Sequence, residues 1–267
     1  MILAHEIIGS GEPLLFLHGL GADRRQSMDA FADASQEGAY QLIAVDFRSH
    51  GESIDDSDGD ALNFDRFADD IIHLMDHLGL TQATIGGMSM GAGVSLNIAL
   101  RYPERVQQLI LLRPSWLASP APPHLAIVAK IGHDIEEGGL LKSQRRLENS
   151  AEFLALQQRE PRVAASLLPL FTRPQAYSGA SVLYRMYESQ PCAALSALQS
   201  IGHRVLILDT THDDLHPQSV AKQIAAHLPQ VSSHLTLPPR YREPERYQHT
   251  LSHSVLSFLS SSHITHL

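Results

Sequence analysis

Short apolar runs alternate along the chain with segments in which apolar residues recur every three or four positions. Apolar runs without polar alternation are typical of strands buried on both faces of a parallel sheet. Such strands are predicted at residues 13–17, 42–45, 83–85, 106–112, 205–208 and 233–237. Strands joined through helices form crossover connections, so the pattern predicts an α/β fold with a doubly wound, mostly parallel sheet and flanking helices.

The segments between these strands are predicted to be helical. Residues 63–79 place apolar side chains at intervals of three and four, as one buried helical face requires. Three further helices are predicted at residues 90–102, 217–228 and 244–259. The second of these carries a proline in its first turn, where the missing N–H is harmless.

Residues 115–194 interrupt this alternation, because they contain no run that predicts a strand. The segment opens with several prolines, continues as helical stretches with apolar stripes, and is far too long for a simple loop. We therefore predict a core formed by residues 1–114 and 195–267, with an inserted helical cap at residues 115–194. We expect this cap to act as a lid over a site, and the alternative is an insertion without a functional role.

A serine flanked by glycines follows the third predicted strand. The pentapeptide reads Gly-Met-Ser-Met-Gly over residues 87–91, with Ser89 at its centre and a predicted helix behind it. A G-x-S-x-G segment between a strand and a helix makes a turn so tight that the flanking residues must be very small. The N-terminus of the helix also stabilises a developing oxyanion. Ser89 is therefore the candidate nucleophile.

Together with three further segments in the expected order, this pentapeptide resembles the α/β-hydrolase superfamily over nearly the whole chain. The three segments are His-Gly-Leu-Gly at residues 18–21, Asp-Phe-Arg-Ser-His-Gly-Glu-Ser at residues 46–53, and residues 205–217. The resemblance implies an oxyanion hole formed by the backbone N–H groups of Leu20 and Met90. It argues against members with an aspartate nucleophile, the haloalkane dehalogenases and epoxide hydrolases, and it implies no cofactor.

The resemblance also places a catalytic acid in the loop after the strand at residues 205–208. The family typically has this acid four residues before a proline, and that spacing selects Asp213. Asp209, at the end of the strand, and Asp214, one residue off the spacing, are the alternatives. A carboxylate in this place would orient a base histidine and stabilise its cationic form.

The turn after the last predicted strand lacks the histidine that the family usually has there, since residues 237–244 read LPPRYREP. His216, in the same loop as the candidate acid, is our candidate base. His249 and His253 are alternatives, although both fall away from the apolar stripe of the last helix. His50 is better suited to a structural hydrogen bond. The last alternative is that the chain has no catalytic base.

These residues predict hydrolysis of an ester-like or other carbonyl bond of a small, apolar molecule through an acyl-enzyme. Met88 and Trp116 are candidate residues of the substrate pocket, and packing of the cap onto the core is an equal alternative for Trp116. Three other functions stay open: a small-molecule binding protein that has lost the base, an acyltransferase, and a lyase.

Composition restricts the partners. The formal net charge of −9 disfavours nucleic acid and anionic membrane surfaces. The chain shows no long apolar stretch and no basic region before an apolar one at its start, so we expect a soluble cytoplasmic protein. The single cysteine, Cys192, cannot form an intramolecular disulfide. We expect no metal at His212, Asp213, Asp214 and His216, although their spacing would allow one.

Overall fold

The computed structural model describes residues 1–36, 40–54 and 59–261. In this part of the chain one seven-stranded sheet has the order β1-β3-β2-β4-β5-β6-β7. Its strands are β1 (His5–Gly9), β2 (Glu12–Leu17), β3 (Tyr40–Val45), β4 (Ala83–Met88), β5 (Val106–Leu112), β6 (Arg204–Thr210) and β7 (Ser233–Leu237). β1 pairs with β3 in antiparallel fashion, and all other neighbouring strands are parallel. The predicted doubly wound, mostly parallel sheet is confirmed.

The hydrophobic pattern did not predict β1. This strand lies at the edge of the sheet, and only part of its surface is covered, so that Ile7 is 43% exposed. An edge strand needs no continuous apolar run, because one of its sides faces solvent. Its place beside β3 depends on tertiary pairing, which the linear pattern does not show.

Ten α-helices are described. They are α1 (Arg25–Gln36), α2 (Phe64–His77), α3 (Met90–Arg101), α4 (Ala126–Gly138), α5 (Leu140–Glu148), α6 (Ala151–Arg159), α7 (Pro161–Ala165), α8 (Ser181–Tyr187), α9 (Gln218–His227) and α10 (Pro244–Ser260). Short 3-10 helices lie at Gly59–Ala61, Pro103–Arg105, Pro123–Leu125, Leu168–Phe171 and Leu195–Ser200. The four predicted helices correspond to α2, α3, α9 and α10, whereas α1 was not predicted.

Hydrophobic cores lie on both faces of the sheet. Successive side chains of a strand point to opposite faces. Leu14 and Phe16 of β2 therefore join one core with α1 and α10. Leu15 and Leu17 join the other with α2, α3 and α9. This double covering explains why the buried strands are apolar at nearly every position.

The segment 115–194 lies between β5 and β6 and contains α4 to α8 and no strand. It packs over the loops at the ends of the strands. A Cβ atom added to Gly21 would lie 2.2 Å from Cδ2 of Leu170, and Arg173 donates a hydrogen bond to the carbonyl of Ser49 at 3.3 Å. Its action as a lid stays a prediction. No helix within the described ranges is long and apolar enough to cross a membrane.

Candidate active site

Ser89 occupies the turn between β4 and α3 with φ 57° and ψ −112°. A positive φ is uncommon for a residue with a side chain and is often found at functional sites. Both flanking glycines are sterically required. A Cβ atom on Gly87 would lie 2.2 Å from the carbonyl carbon of Gly91, and one on Gly91 would lie 2.2 Å from the carbonyl oxygen of Leu17. The pentapeptide therefore forms the tight strand-to-helix turn that its sequence predicts.

The loop after β2 lies directly beside this serine. A Cβ atom on Gly19 would lie 3.5 Å from Cβ of Ser89. The N–H of Gly19 donates to Oε1 of Gln26 at 2.8 Å, which anchors the loop to α1. Among the described residues, neither the N–H of Leu20 nor that of Met90 has an acceptor. Two backbone donors without partners next to a serine are what an oxyanion hole requires.

Residues 46–53 form a rigid turn behind this loop. Arg48 and Asp70 form a buried ion pair, with Nε 2.6 Å from Oδ2 and Nη2 2.8 Å from Oδ1, which ties the turn to α2. The hydroxyl of Ser53 donates to the carbonyl of Asp46 at 2.8 Å and closes the turn. These residues position the site and do not reach Ser89.

The hydroxyl of Ser89 is bonded to another serine. It donates to Oγ of Ser115 at 3.4 Å, and the hydroxyl of Ser115 donates to the carbonyl of Leu215 at 3.0 Å. These bonds connect the turn at Ser89 to the loop between β6 and α9, which carries the candidate acid and base. The sequence does not indicate this role of Ser115, because no linear pattern shows that its hydroxyl faces Ser89.

Asp213 and His216 form a hydrogen-bonded pair in this loop. Nδ1 of His216 lies 2.9 Å from Oδ2 of Asp213, and their side chains are 10% and 1% exposed. Burial lowers the pKa of His216, Asp213 acts to raise it, and the positive charges of Arg113 and Arg240 lower it further. The net shift is downward, so the imidazole is neutral at neutral pH. Nε2 has no hydrogen-bond partner in the described part of the chain.

Arg113, just after β5, holds Asp213 from the other side. Its Nη1 donates to Oδ2 of Asp213 at 2.8 Å, and both side chains are 1% exposed. Burial acts to raise the pKa of Asp213, but His216 and Arg113 hold it well below the usual range of an aspartate. Asp213 is therefore ionised and can orient the ring of His216. The sequence alone does not indicate this role of Arg113.

The two alternative acids have other partners. Asp209, at the end of β6, accepts hydrogen bonds from Gln218 and His234, both at 2.9 Å. Asp214 is partly exposed and forms an ion pair with Arg159 at 2.7 Å. Neither of them bonds to the candidate base, so of the three aspartates only Asp213 does.

The alternative bases are placed as their sequence context suggested. His50 uses both ring nitrogens, because Nδ1 donates to the carbonyl of Arg48 at 2.9 Å and Nε2 accepts from the N–H of Gly21 at 3.0 Å. Burial lowers the pKa of His50 well below its ordinary value, which keeps it neutral. His249 and His253 are exposed on α10.

Arg240 occupies the loop after β7, where the usual histidine is missing. Its side chain borders a cavity of about 380 Å³ that also touches Arg113, Tyr247 and Met88. Met88 lines this cavity, and its role as a substrate-pocket residue stays a prediction. Trp116 is 1% exposed and packs edge-to-face against Phe64, with ring centroids 5.6 Å apart. For Trp116 the structure therefore supports the packing alternative.

The loop residues with possible metal-binding spacing have other partners. His212 is exposed, with Nδ1 3.0 Å from Oε1 of Glu160, and Asp214 pairs with Arg159. Over residues 1–36, 40–54 and 59–261, no group of three or more histidine, cysteine, aspartate and glutamate side chains is arranged to hold a metal ion.

The sequence matches one family model and resembles several known proteins, most of them over only part of its length. The model of the alpha/beta hydrolase fold family matches residues 12–133. The dihydrolipoyllysine-residue acetyltransferase component of the acetoin cleaving system of Pseudomonas putida is 35% identical over 110 residues, which are 40% of this chain and 28% of the relative. The chain thus spans little more than a quarter of that relative. A 2-hydroxymuconate semialdehyde hydrolase of Pseudomonas sp. strain CF600 is 26% identical over 85% of this chain and 79% of the relative.

Solved structures resemble the whole fold. MGS-M2, an alpha/beta hydrolase enzyme from a Medee basin deep-sea metagenome library, is 22% identical with a TM-score of 0.73 and covers 97% of this chain and 94% of its own. The enol-lactonase from Burkholderia xenovorans LB400 is 18% identical with a TM-score of 0.72, covering 97% of this chain and 96% of its own. The family match over residues 12–133 and these likenesses over the whole chain show that the protein has the alpha/beta hydrolase fold.

Proposed function

We propose that the protein is a serine hydrolase that cleaves an ester-like carbonyl bond of a small molecule through an acyl-enzyme on Ser89. The observation that carries this proposal is the buried Asp213–His216 pair, with Nδ1 2.9 Å from Oδ2, in the loop that Ser115 connects to Ser89. The relatives and structural neighbours with hydrolase names support the class of reaction.

The reaction needs a base that can take the proton of Ser89. The bond from Ser89 to Ser115 leads to the carbonyl of Leu215, which cannot accept a proton to form a stable acid. Nε2 of His216 can, because the ring is neutral and Asp213 stabilises its cationic form. The proposed reaction therefore requires the hydroxyl of Ser89 to leave Ser115 and its proton to reach Nε2 of His216 when a substrate binds.

The steps then follow the acyl-enzyme mechanism. Oγ of Ser89 attacks the carbonyl carbon while its proton passes to Nε2 of His216, and the N–H groups of Leu20 and Met90 hold the oxyanion. The tetrahedral intermediate collapses, and the leaving group departs with the proton from His216. Water next gives a proton to His216 and attacks the acyl-enzyme. The second tetrahedral intermediate collapses, His216 returns the proton to Oγ of Ser89, and the acid is released.

Labelling with a fluorophosphonate, read by intact mass, tests this proposal. The folded wild type should gain one adduct, Ser89→Ala should gain none, and His216→Gln should react much more slowly. Ser115→Ala is the matched control, because it removes a neighbouring hydroxyl without removing the proposed nucleophile or base. Equal rates for wild type and His216→Gln would disprove the role of His216.

A second candidate is a small-molecule binding protein that no longer catalyses a reaction. Two observations favour it: Ser89 is bonded to Ser115 rather than to a histidine, and Arg240 follows β7 where the superfamily usually has the base. It predicts that the folded wild type resists the fluorophosphonate while a fitting ligand still raises its melting temperature.

A further inference from the structure

The cavity beside Met88 has more positive charge than its surroundings neutralise. It measures about 380 Å³ and lies between α1, the end of β5 and the start of α10. Three arginines border it, Arg113, Arg162 and Arg240. Asp29 is the one carboxylate of its lining, and Asp213 neutralises Arg113 from outside the lining. Its other walls include apolar and aromatic side chains such as Leu112, Tyr247 and Leu251.

Arg240 has no acidic partner in this cavity. Among the described residues its guanidinium makes no hydrogen bond or ion pair, and it lies over the ring of Tyr241, 5.5 Å from the centroid. Burial, and next the charge of Arg113, lower the pKa of Arg240 below its ordinary value. Arg240 is half-buried, and its N–H donors are available to an acceptor that enters the cavity.

Arg113 also keeps unused donor capacity. Nη1 donates to Asp213, but Nε is buried and has no acceptor among the described atoms. Its Nη2 lies against the sulfur of Met88, which is a weak acceptor. The side chain is 1% exposed. A fully buried arginine with an unsatisfied Nε–H thus borders the same cavity as Arg240.

Two residues of the cavity lining connect it to the turn at Ser89 and to the loop after β2. Met88 directly precedes Ser89 in the tight turn, and Gln26 accepts a hydrogen bond from the N–H of Gly19 at 2.8 Å in the loop of the proposed oxyanion hole.

We infer that this cavity binds an oxyanion group of the substrate, a carboxylate or a phosphate, with Arg240 as its main contact and Arg113 as the second. The inference rests on the proposed function, because it assigns the charged end of the molecule that Ser89 attacks. A planar guanidinium matches both oxyanions in shape and hydrogen-bond pattern. The apolar walls strengthen the attraction by excluding water.

Two matched esters test the preference for a negative charge. 4-Nitrophenyl hemiglutarate carries a carboxylate where 4-nitrophenyl pentanoate carries a methyl group. The wild type should favour the hemiglutarate in kcat/KM by at least about tenfold, as a charge-assisted hydrogen bond would provide. Arg240→Met should reduce the ratio of the two kcat/KM values to near one, and Arg240→Lys should keep part of it. Arg246→Met, at an exposed arginine of α10, is the matched control and should keep the full ratio.

Calorimetric binding separates this inference from the proposed reaction. Glutarate or inorganic phosphate should bind to Ser89→Ala, and adding Arg240→Met should abolish binding; the anion that binds more tightly identifies the group as carboxylate or phosphate. If these anions bind through Arg240 but neither ester is cleaved by the wild type, the anion site stands and the hydrolase proposal fails. If both esters are cleaved equally and neither anion binds, the inference is overturned and the hydrolase proposal stands.

Discussion

Nδ1 of His216 lies 2.9 Å from Oδ2 of Asp213, three residues earlier in the same loop. The candidate acid and base thus come from one short segment between β6 and α9, and the loop after β7 carries Arg240 instead of a histidine. The orientation of the base therefore depends on the conformation of a single loop and on Arg113, which holds the same carboxylate at 2.8 Å.

The first prediction concerns pH. Burial lowers the pKa of His216 below 6.5, so kcat/KM for a neutral ester should rise with pH through an ionisation below 6.5 and then stay level. Arg240 contributes to this lowering by its positive charge. Arg240→Met should therefore move the inflection to higher pH, as measured by initial rates between about pH 4.5 and 8.5. A profile that does not move in this variant would contradict the assignment of the base.

The second prediction concerns the buried ion pair. Arg113→Met removes one of two partners from the buried carboxylate of Asp213, and this should lower the free energy of unfolding by about 3–5 kcal/mol. Urea unfolding followed by circular dichroism measures the loss. Arg246→Met, which breaks an exposed pair with Glu243, should change stability far less. Equal effects of the two variants would show that the Arg113–Asp213 pair is not a buried support of the loop.

The third prediction concerns the turn at Ser89. Gly91→Ala places a Cβ atom 2.2 Å from the carbonyl oxygen of Leu17, so the backbone must shift at a cost of about 2–4 kcal/mol. Gly202→Ala is the control, since its Cβ atom meets open space and the residue has no positive φ. Thermal unfolding should show a marked loss for the first variant and little change for the second. A neutral Gly91→Ala would mean that the turn is looser than the structure indicates.

The fourth prediction concerns Ser115. Ser115→Ala removes the partner of the Ser89 hydroxyl and leaves the carbonyl of Leu215 without its hydrogen bond, at a cost of about 1 kcal/mol of stability. Because this bond competes with the one that catalysis needs, fluorophosphonate labelling of Ser89 should be no slower than in the wild type. Loss of labelling in a folded Ser115→Ala protein would instead make Ser115 an essential member of the site.

The fifth prediction tests whether the cap acts as a lid. Leu170 packs directly on Gly21 beside the proposed oxyanion hole, so Leu170→Ala should loosen this contact and speed up labelling by a bulky fluorophosphonate. Leu141, 76% exposed on α5, provides the control Leu141→Ala, which should leave the labelling rate unchanged. If both variants label at the wild-type rate, the cap does not restrict access to Ser89.

Much of the fold could be read from local chemistry. The strands of the sheet interior are apolar at nearly every position because helices cover both faces. Such apolar runs can be recognised in the sequence itself. The turn at Ser89 is equally local, since Gly87 and Gly91 are the residues that its sterics allow. The edge strand β1 and the helix α1 lacked such signals, because their places depend on what packs beside them.

The candidate site shows the same division. The position of Asp213, four residues before Pro217, sufficed to select it as the candidate acid. Because no histidine follows β7, His216 became the candidate base. The roles of Ser115 and Arg113 could not be found in this way, because they lie 26 and 100 residues from their partners Ser89 and Asp213. Contacts between residues so far apart in the sequence produce no periodic pattern from which they could be predicted. Local sterics and burial thus dictated the strands and the serine turn, whereas tertiary packing alone brought Arg113 and Arg240 to the cavity beside Met88.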